Sequence, residues 1–136
     1  MPSMQLDIVT PEKRILSEMV DEVTAPGILG EFGIMAMHTP FLTTLGIGAL
    51  AYKIGHKTKK YVINGGYAEV SQDKIIILTE TCEDADSIDV KRARKAFQES
   101  QKVLLDLDAS SAEYKKHWDR AKRAKARIEV SESAFL

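Results

Sequence analysis

Every glycine and every proline of this 136-residue chain lies before residue 67. The eight glycines and four prolines divide the first part of the chain into short segments, because both residue types favour turns and interrupt helices. Residues 67–136 contain neither, so only this later part can form long uninterrupted helices. We therefore predict two domains, residues 1–86 and residues 87–136, that meet close to Asp84.

The distribution of charge supports the same division. Residues 1–86 contain 7 Lys and Arg against 12 Asp and Glu, whereas residues 87–136 contain 12 against 8. The composition, 44% hydrophobic and 29% charged, is typical of a soluble globular protein. No apolar run approaches the roughly 18 residues that cross a bilayer, and the N-terminus lacks the pattern of a signal peptide. The single cysteine, Cys82, is expected to be a small buried side chain in a reducing compartment.

The first part of the chain alternates as β-strands do. In the segment MQLDIV, Met4, Leu6 and Ile8 would face a core, and the residues between them would face solvent. Two longer segments predict hairpins, with turns at residues 55–57 and 71–74. Short strands with regularly spaced turns indicate a sandwich or a flattened barrel. We expect the α+β class, with a mainly antiparallel two-sheet β-sandwich at the N-terminus.

The second part has the period of amphipathic helices, with apolar or small residues recurring about every 3.6 positions. We predict helices over residues 88–106 and 112–129, separated by the polar segment Asp106–Ser111. Ser110 and Glu113 have the spacing of a capping box, which would begin the second helix. So short a connection predicts an antiparallel two-helix hairpin, and its alanine-rich contact face predicts packing that separates easily.

No motif of a phosphate-binding loop, a serine hydrolase or a zinc protease occurs in the sequence. His38, His56 and His117 lie far apart along the chain and lack the spacing of metal ligands. No pattern of residues in the sequence indicates a nucleophile, a general base and a group that orients the base. We therefore expect no catalytic residues, no metal site and no required cofactor, and we interpret the chain as a non-enzyme.

The second predicted helix carries seven basic residues between Lys115 and Arg127, and such a helix can bind a nucleic-acid backbone. However, the whole chain has a pI of about 6.3, and its acidic first part would repel the same polyanion. A solvated helix face explains these charges equally well. We therefore expect no nucleic-acid partner.

Three segments, in a fixed order and followed by the predicted hairpin, point to a known family: GEFGIMAMHTPFLTTLGIGAL, VINGGYAEV and IIILTETCEDADSIDVKRA. In this order they resemble the epsilon subunits of bacterial F-type ATP synthases, over about residues 6–130. The resemblance implies a β-sandwich followed by a two-helix hairpin, in agreement with the interpretation above. It also implies a non-catalytic subunit on the central stalk of a proton-translocating rotary enzyme, peripheral to the cytoplasmic face of the bacterial cell membrane.

The resemblance further implies a set of partners. In this family the sandwich binds the gamma subunit and helps to attach the stalk to the c-ring. The hairpin can extend along gamma to the alpha and beta subunits of the catalytic head, where it inhibits ATP hydrolysis. We take Glu31 and His38, which lie in the first of the three segments, as interface candidates, and we expect no direct membrane insertion. The alternative from a different class is a free-standing nucleotide-sensing or scaffold domain.

The segment SIDVKRARKA, residues 87–96, combines one acidic residue with four basic ones where the first helix should begin. In one interpretation, Asp86 or Ser87 caps the helix, Asp89 pairs with Arg92 in the first turn, and the other charges are solvated. In the other, residues 88–93 match the motif I/L-D-x-x-R-A, by which some epsilon subunits bind regulatory ATP. Both interpretations remain open, since a capped helix can also hold a ligand.

The second interpretation gives each residue of the motif a chemical role. Asp89 would accept a hydrogen bond from the adenine amino group, and Ile88 and Ala93 would contact the base. Arg92 would bind phosphate with its guanidinium fork. The expected ligand is therefore ATP in a regulatory role, bound without catalysis.

Two further segments contribute to this prediction. Arg123 and Arg127 are four residues apart, so they share a helix face and could converge on the phosphates when the hairpin is closed. Glu83 matches a further position that contacts the nucleotide in such members of the family. The candidate ATP-binding residues are Glu83, Ile88, Asp89, Arg92, Ala93, Arg123 and Arg127.

Overall fold

The computed structural model describes residues 4–35 and 40–133, and within these ranges eight strands precede two helices. The strands are β1 (Met4–Val9), β2 (Arg14–Val20), β3 (Glu22–Gly27), β4 (Gly30–Met35), β5 (Phe41–Ile54), β6 (Lys57–Ser71), β7 (Lys74–Leu78) and β8 (Cys82–Asp84). A 3₁₀ turn, Ala85–Ser87, then leads to α1 (Val90–Leu105) and α2 (Ala112–Ser133). The predicted α+β class, both hairpin turns and the break between the helices are confirmed, and α2 is four residues longer than expected.

The strands form a hydrogen-bonded sheet in the order β2-β1-β7-β6-β5-β3-β4, with β8 also paired to β6. All pairs are antiparallel except β1 with β7. The first half of β6 pairs with β8 and its last residues pair with β7, so β6 takes part in both layers of the sandwich. Gly65 and Gly66, with φ of 72° and 113°, lie between these two halves. The two layers of the predicted sandwich are therefore continuous through β6 and its partner β5.

Both layers contribute to one apolar core, in which the predicted inward residues of β1 are fully buried. The other fully buried aliphatic side chains of this core include Val20, Val23, Ile34, Leu50, Ile63, Ile75 and Ile77. Cys82 packs against the core but is only partly buried. Burial, with the charges of Asp84 and Glu83 beside it, raises the pKa of the Cys82 thiol to about 11. The thiol is therefore protonated at neutral pH, as a packing residue would be.

Asp7 departs from the simple alternation of β1, because it is only 5% exposed although it lies on the face opposite Leu6. Its Oδ1 accepts hydrogen bonds from Ser17 Oγ at 2.7 Å and from Gln5 Nε2 at 3.1 Å. Lys74 Nζ lies 3.7 Å from Oδ2. The bond from Ser17, together with Gln5 and the Lys74 charge, lowers the pKa of Asp7 against the opposing effect of burial. A polar network thus covers this face of β1.

The cap of α1 differs from the sequence interpretation. Asp89 Oδ1 accepts a hydrogen bond from the backbone N–H of Arg92 at 3.1 Å, so Asp89 itself is the N-cap, and neither Asp86 nor Ser87 is. This backbone bond replaces the expected side-chain pair of Asp89 with Arg92. The two earlier residues are engaged in the 3₁₀ turn, where Asp84 accepts from the backbone N–H of Asp86 and from the Ser87 hydroxyl. The turn therefore delays the helix start to Val90.

The cap of α2 is also one residue later than predicted. Ser111 Oγ accepts from the backbone N–H of Tyr114 at 3.1 Å, which makes Ser111 the cap. Ser110, the residue predicted for this role, donates its hydroxyl to Asp108 at 2.9 Å instead. Asp108 also accepts from the backbone N–H of Ser110. These bonds form a turn within the polar connection, and α2 begins after that turn.

The hairpin is folded against the sandwich through α2, which packs on β5 and β6. Ala126 and Val130 of α2 are buried against Val62 and Ala85. An ion pair of 2.8 Å between Arg94 and Glu132 joins the start of α1 to the end of α2, which confirms their antiparallel arrangement. The other buried side chains of the two helices, among the described residues, are all alanine or serine: Ala93, Ser100, Ala121, Ala124 and Ser131. Among the described residues, neither helix is both long and apolar enough to span a bilayer.

Candidate functional site

A cleft of about 460 Å³ lies between β8, the start of α1 and one face of α2. Its volume is in the range of small-molecule sites. The lining residues are Glu83, Ser87, Ile88, Asp89, Arg92, Ala93, Ala96, Arg120, Arg123 and Arg127. The structure thus brings together all seven residues of the predicted ATP-binding set, which come from three separate segments of the chain.

The 3₁₀ turn that leads into this cleft is held by Lys59 on β6. Its Nζ lies 2.8 Å from Asp84 Oδ2 and 3.3 Å from Asp86 Oδ2. The bond to Asp84 is the largest of the contributions that raise the pKa of Lys59. Burial opposes ionisation of Asp84, but the bonds from Lys59 and from the Asp86 N–H outweigh it and lower the pKa of Asp84. The ion pair of Lys59 with Asp84 therefore fixes the end of β8, and with it the position of Glu83.

Glu83 and Arg127 form a bidentate ion pair between β8 and α2. Arg127 Nε donates to Glu83 Oε2 at 2.7 Å, and Arg127 Nη2 donates to Oε1 at 3.0 Å. The side chains of Arg127 and Glu83 are 30% and 37% exposed, so solvent screening limits the contribution of the pair to about 1 kcal/mol. The pair connects α2 to the sandwich, and it occupies the guanidinium group of Arg127.

The other three arginines of the cleft are free to meet a ligand. The guanidinium groups of Arg92, Arg120 and Arg123 have no hydrogen-bond or ion-pair partner among the side chains that the structure describes. The cleft contains four arginines and two carboxylates, Glu83 and Asp89, so its lining has a formal charge of +2. Such a lining favours an anion, and guanidinium groups match the geometry of phosphate oxygens.

The end of the cleft near the start of α1 is less polar. Ile88, Ala93 and Ala96 line it and offer apolar contact to a flat ring. Asp89 lies beside them, and one of its two carboxylate oxygens, Oδ1, is used to cap α1. Asp89 can therefore cap the helix through one carboxylate oxygen and face a ligand with the other.

Sequence reasoning missed three lining residues, Ser87, Ala96 and Arg120. The signal for Arg120 was its spacing, because residues 120, 123 and 127 follow the i, i+3, i+7 pattern of one helix face. Of the two interface candidates, Glu31 is exposed on β4, and His38 lies outside the described residues.

Comparison with known proteins agrees with this architecture. Residues 3–85 match the family model of the β-sandwich domain of the ATP synthase delta/epsilon chain. An ATP synthase epsilon chain of Anaeromyxobacter sp. (strain K) is 45% identical over 129 residues, which cover 95% of this chain and 98% of that relative. One from Trichlorobacter lovleyi is 44% identical over 131 residues, which cover 96% of this chain and 95% of that relative.

Solved structures show the same fold. A chain in the Euglena gracilis mitochondrial ATP synthase, in an assembly of OSCP, F1 and the c-ring, matches with a TM-score of 0.84 and 25% identity. That match covers 100% of this chain and 83% of the other. A chain from the central stalk and c-ring of the Tetrahymena thermophila mitochondrial ATP synthase shares the fold with a TM-score of 0.61 at 18% identity, covering 98% and 97% of the two chains. The family model and the epsilon-chain relatives, whose matches span both the sandwich and the hairpin, show that the chain belongs to the family of ATP synthase epsilon chains.

Proposed function

We propose that this protein is a non-catalytic subunit of the central stalk of a proton-translocating F-type ATP synthase, and that its hairpin binds ATP as a regulatory ligand. The observation that carries the ATP site is the cleft in which unpaired arginines from both helices face an apolar wall and a carboxylate. The stalk role is supported by the relatives, which are ATP synthase epsilon chains, and by solved structures of the fold in assemblies with a c-ring.

The cleft suggests how ATP would lie in it. The adenine ring would rest against Ile88 and Ala93, with its amino group donating to Asp89. The phosphates would extend along α2 and meet Arg92 from one helix and Arg123 from the other. The ligand would thereby contact both helices beside β8, and all of these contacts together exist only when the hairpin is closed.

Such a ligand would control the hairpin. A ligand shifts a conformational equilibrium only by its difference in affinity for the two states. At free ATP 100-fold above its dissociation constant, binding to the closed state alone stabilises that state by about 2.7 kcal/mol. Because small side chains dominate the buried contacts of the hairpin, a shift of this size can decide whether it stays docked. Abundant ATP would hold the hairpin closed, and ATP depletion would release it toward the alpha and beta subunits to inhibit hydrolysis.

The sandwich would make the stable attachments, to the gamma subunit and to the c-ring, on the cytoplasmic face of the membrane. The tip between β3 and β4 has the exposure expected of a docking surface, because Ile28 is 66% exposed and Leu29 is fully exposed. Glu31, the described interface candidate, lies next to this tip. We therefore place the c-ring contact at the β3–β4 tip.

Replacing Arg92 with alanine should weaken ATP binding tenfold or more, because one charge-assisted phosphate contact is worth about 1.4 kcal/mol or more. The fold should be unaffected, since Asp89 caps α1 through the backbone N–H of Arg92, which the variant retains. Isothermal titration calorimetry measures the affinity, and circular dichroism checks the fold. Arg94→Ala is the control, because Arg94 pairs with Glu132 and does not line the cleft. Equal ATP affinity in wild type and Arg92→Ala, or no heat from either, would contradict the proposed site.

Truncation before Ile88 should leave the sandwich folded and separate the two roles of the protein. The main core cluster consists of residues between Met4 and Cys82, so it does not require the hairpin. The truncated protein should still co-purify with gamma, while the reconstituted enzyme hydrolyses ATP without restraint from this subunit. The proposed roles of the sandwich and the hairpin would be refuted by two results together. The truncated protein would be folded but would not bind gamma, and the hydrolysis rate of the reconstituted enzyme would be unchanged. Failure of the intact chain to bind gamma would favour a free-standing nucleotide sensor instead.

A further inference from the structure

We propose that Arg120 binds the terminal phosphate of the nucleotide and so allows the cleft to distinguish a nucleoside triphosphate from a diphosphate. This inference rests on the proposed nucleotide-binding function and assigns a specificity role to a residue outside the motif. It follows from the charge left unpaired in the cleft, from the order of the arginines along α2, and from the surroundings of Arg120.

The first argument is the number of unpaired positive charges. Glu83 already pairs with Arg127 through two hydrogen bonds, which leaves Arg92, Arg120 and Arg123 as guanidinium groups without partners among the described side chains. A guanidinium presents a fork that can hold two oxygens of one phosphate. Two guanidinium groups can bind two phosphates, so the third guanidinium matches a ligand that has a third anionic group.

The second argument is the order of the arginines. The ion pair of Arg94 with Glu132 shows that the start of α1 lies beside the end of α2. Ile88 and Asp89, at the start of α1, are therefore close to the Arg127 end of the row. With a rise of 1.5 Å per residue, Arg123 is about 6 Å and Arg120 about 10 Å from Arg127 along the helix axis. A phosphate chain that leads away from the base reaches Arg123 first and Arg120 last.

The third argument is the surroundings of Arg120. Among the described contacts, the carboxylate of its neighbour Asp119 pairs with Lys115, whose Nζ lies 3.2 Å from Asp119 Oδ2, and not with Arg120. The side chain of Arg120 is exposed at the edge of the cleft, where it can adjust to a ligand. An exposed position also means that its replacement should leave the packing of α2 intact.

The test compares ATP and ADP as ligands of the full-length chain. Calorimetric titrations of both nucleotides are made with wild type, Arg120→Gln, Arg123→Gln and Lys122→Gln. We expect Arg120→Gln to weaken ATP binding tenfold or more while the ADP affinity changes by less than twofold. Arg123→Gln should weaken both ligands. Lys122→Gln removes the same charge from an exposed position outside the cleft, so it should leave both affinities within twofold.

The outcomes separate this inference from the proposed function. If wild type binds ATP but Arg120→Gln weakens ATP and ADP equally, or neither, the terminal-phosphate role of Arg120 is wrong and the site itself stands. The same conclusion applies if Lys122→Gln has the same effect as Arg120→Gln, because the effect is then one of general charge. If wild type binds neither nucleotide, the proposed function fails, and the role of Arg120 fails with it.

Discussion

Replacing Gly66 with alanine is expected to lower the free energy of unfolding by roughly 3 kcal/mol or more, from a strained backbone and a steric clash together. The backbone of Gly66 has a φ of 113°, a conformation that side-chain-bearing residues rarely adopt. An added Cβ would overlap the carbonyl oxygen of Leu78 and would lie 3.0 Å from the Cα of Thr79. Both obstacles are backbone atoms, so relief requires β6 and β7 to move apart where the sandwich bends.

The matched control is Gly33→Ala on β4. Gly33 has no atom within 4 Å of an added Cβ and no positive φ, so this change should alter the free energy of unfolding by less than about 1 kcal/mol. Urea unfolding followed by circular dichroism gives both values. A Gly66→Ala protein as stable as Gly33→Ala would show that the contact between β6 and β7 is more adaptable than the structure indicates.

Replacing Val130 with aspartate should detach the hairpin from the sandwich. Val130 is 1% exposed and packs against Val62, Ala85 and Ala126, so a carboxylate there would be buried without a partner or force the contact to open. We expect a cost of about 3 kcal/mol to the docked state, which corresponds to a loss of more than 100-fold in hydrogen-exchange protection along α2. Protection of β1 and β7 should remain, because their side chains belong to the main core cluster, to which neither helix contributes.

The control for this experiment is Glu129→Asp, which places an aspartate at the neighbouring exposed position of α2. It should keep α2 protected. If Val130→Asp accelerated exchange in the strands as much as in α2, the sandwich and hairpin would be one cooperative unit, and a hairpin that moves alone would be untenable. ATP affinity should also fall in Val130→Asp, since the ligand would then have to restore the docked state.

Much of the fold was predictable from the sequence because its signals are local. The absence of glycine and proline after residue 66, the alternation in β1 and the 3.6 period of both helices each depend on neighbouring residues only. The helix caps were predicted less accurately. Asp84 and Asp108 bind the nearby polar groups in turns of their own, and the caps are therefore Asp89 and Ser111. The burial of Asp7 depends on Ser17 and Lys74 from other strands, which periodicity along β1 does not report.

The candidate site follows the same pattern. The motif residues and the two arginines of α2 were found from local spacing together with the resemblance to a family. The ion pair of Glu83 with Arg127 joins residues 44 positions apart, so nothing in the sequence indicated that one arginine of the cleft is already neutralised. That pairing is also what makes Arg120 important, because it changes the number of arginines left for a ligand.

The anchoring of the 3₁₀ turn by Lys59 would determine where the proposed motion of the hairpin begins. Because Lys59 holds both Asp84 and Asp86 on the sandwich, the pivot would lie after Asp86, and Glu83 would remain with the sandwich when the hairpin opens. Opening would then separate Glu83, which remains with the sandwich, from Arg127, which moves with α2. The motion would thus be a rotation of the hairpin about the chain segment that follows Asp86, and the Glu83–Arg127 pair would form again when the hairpin closes.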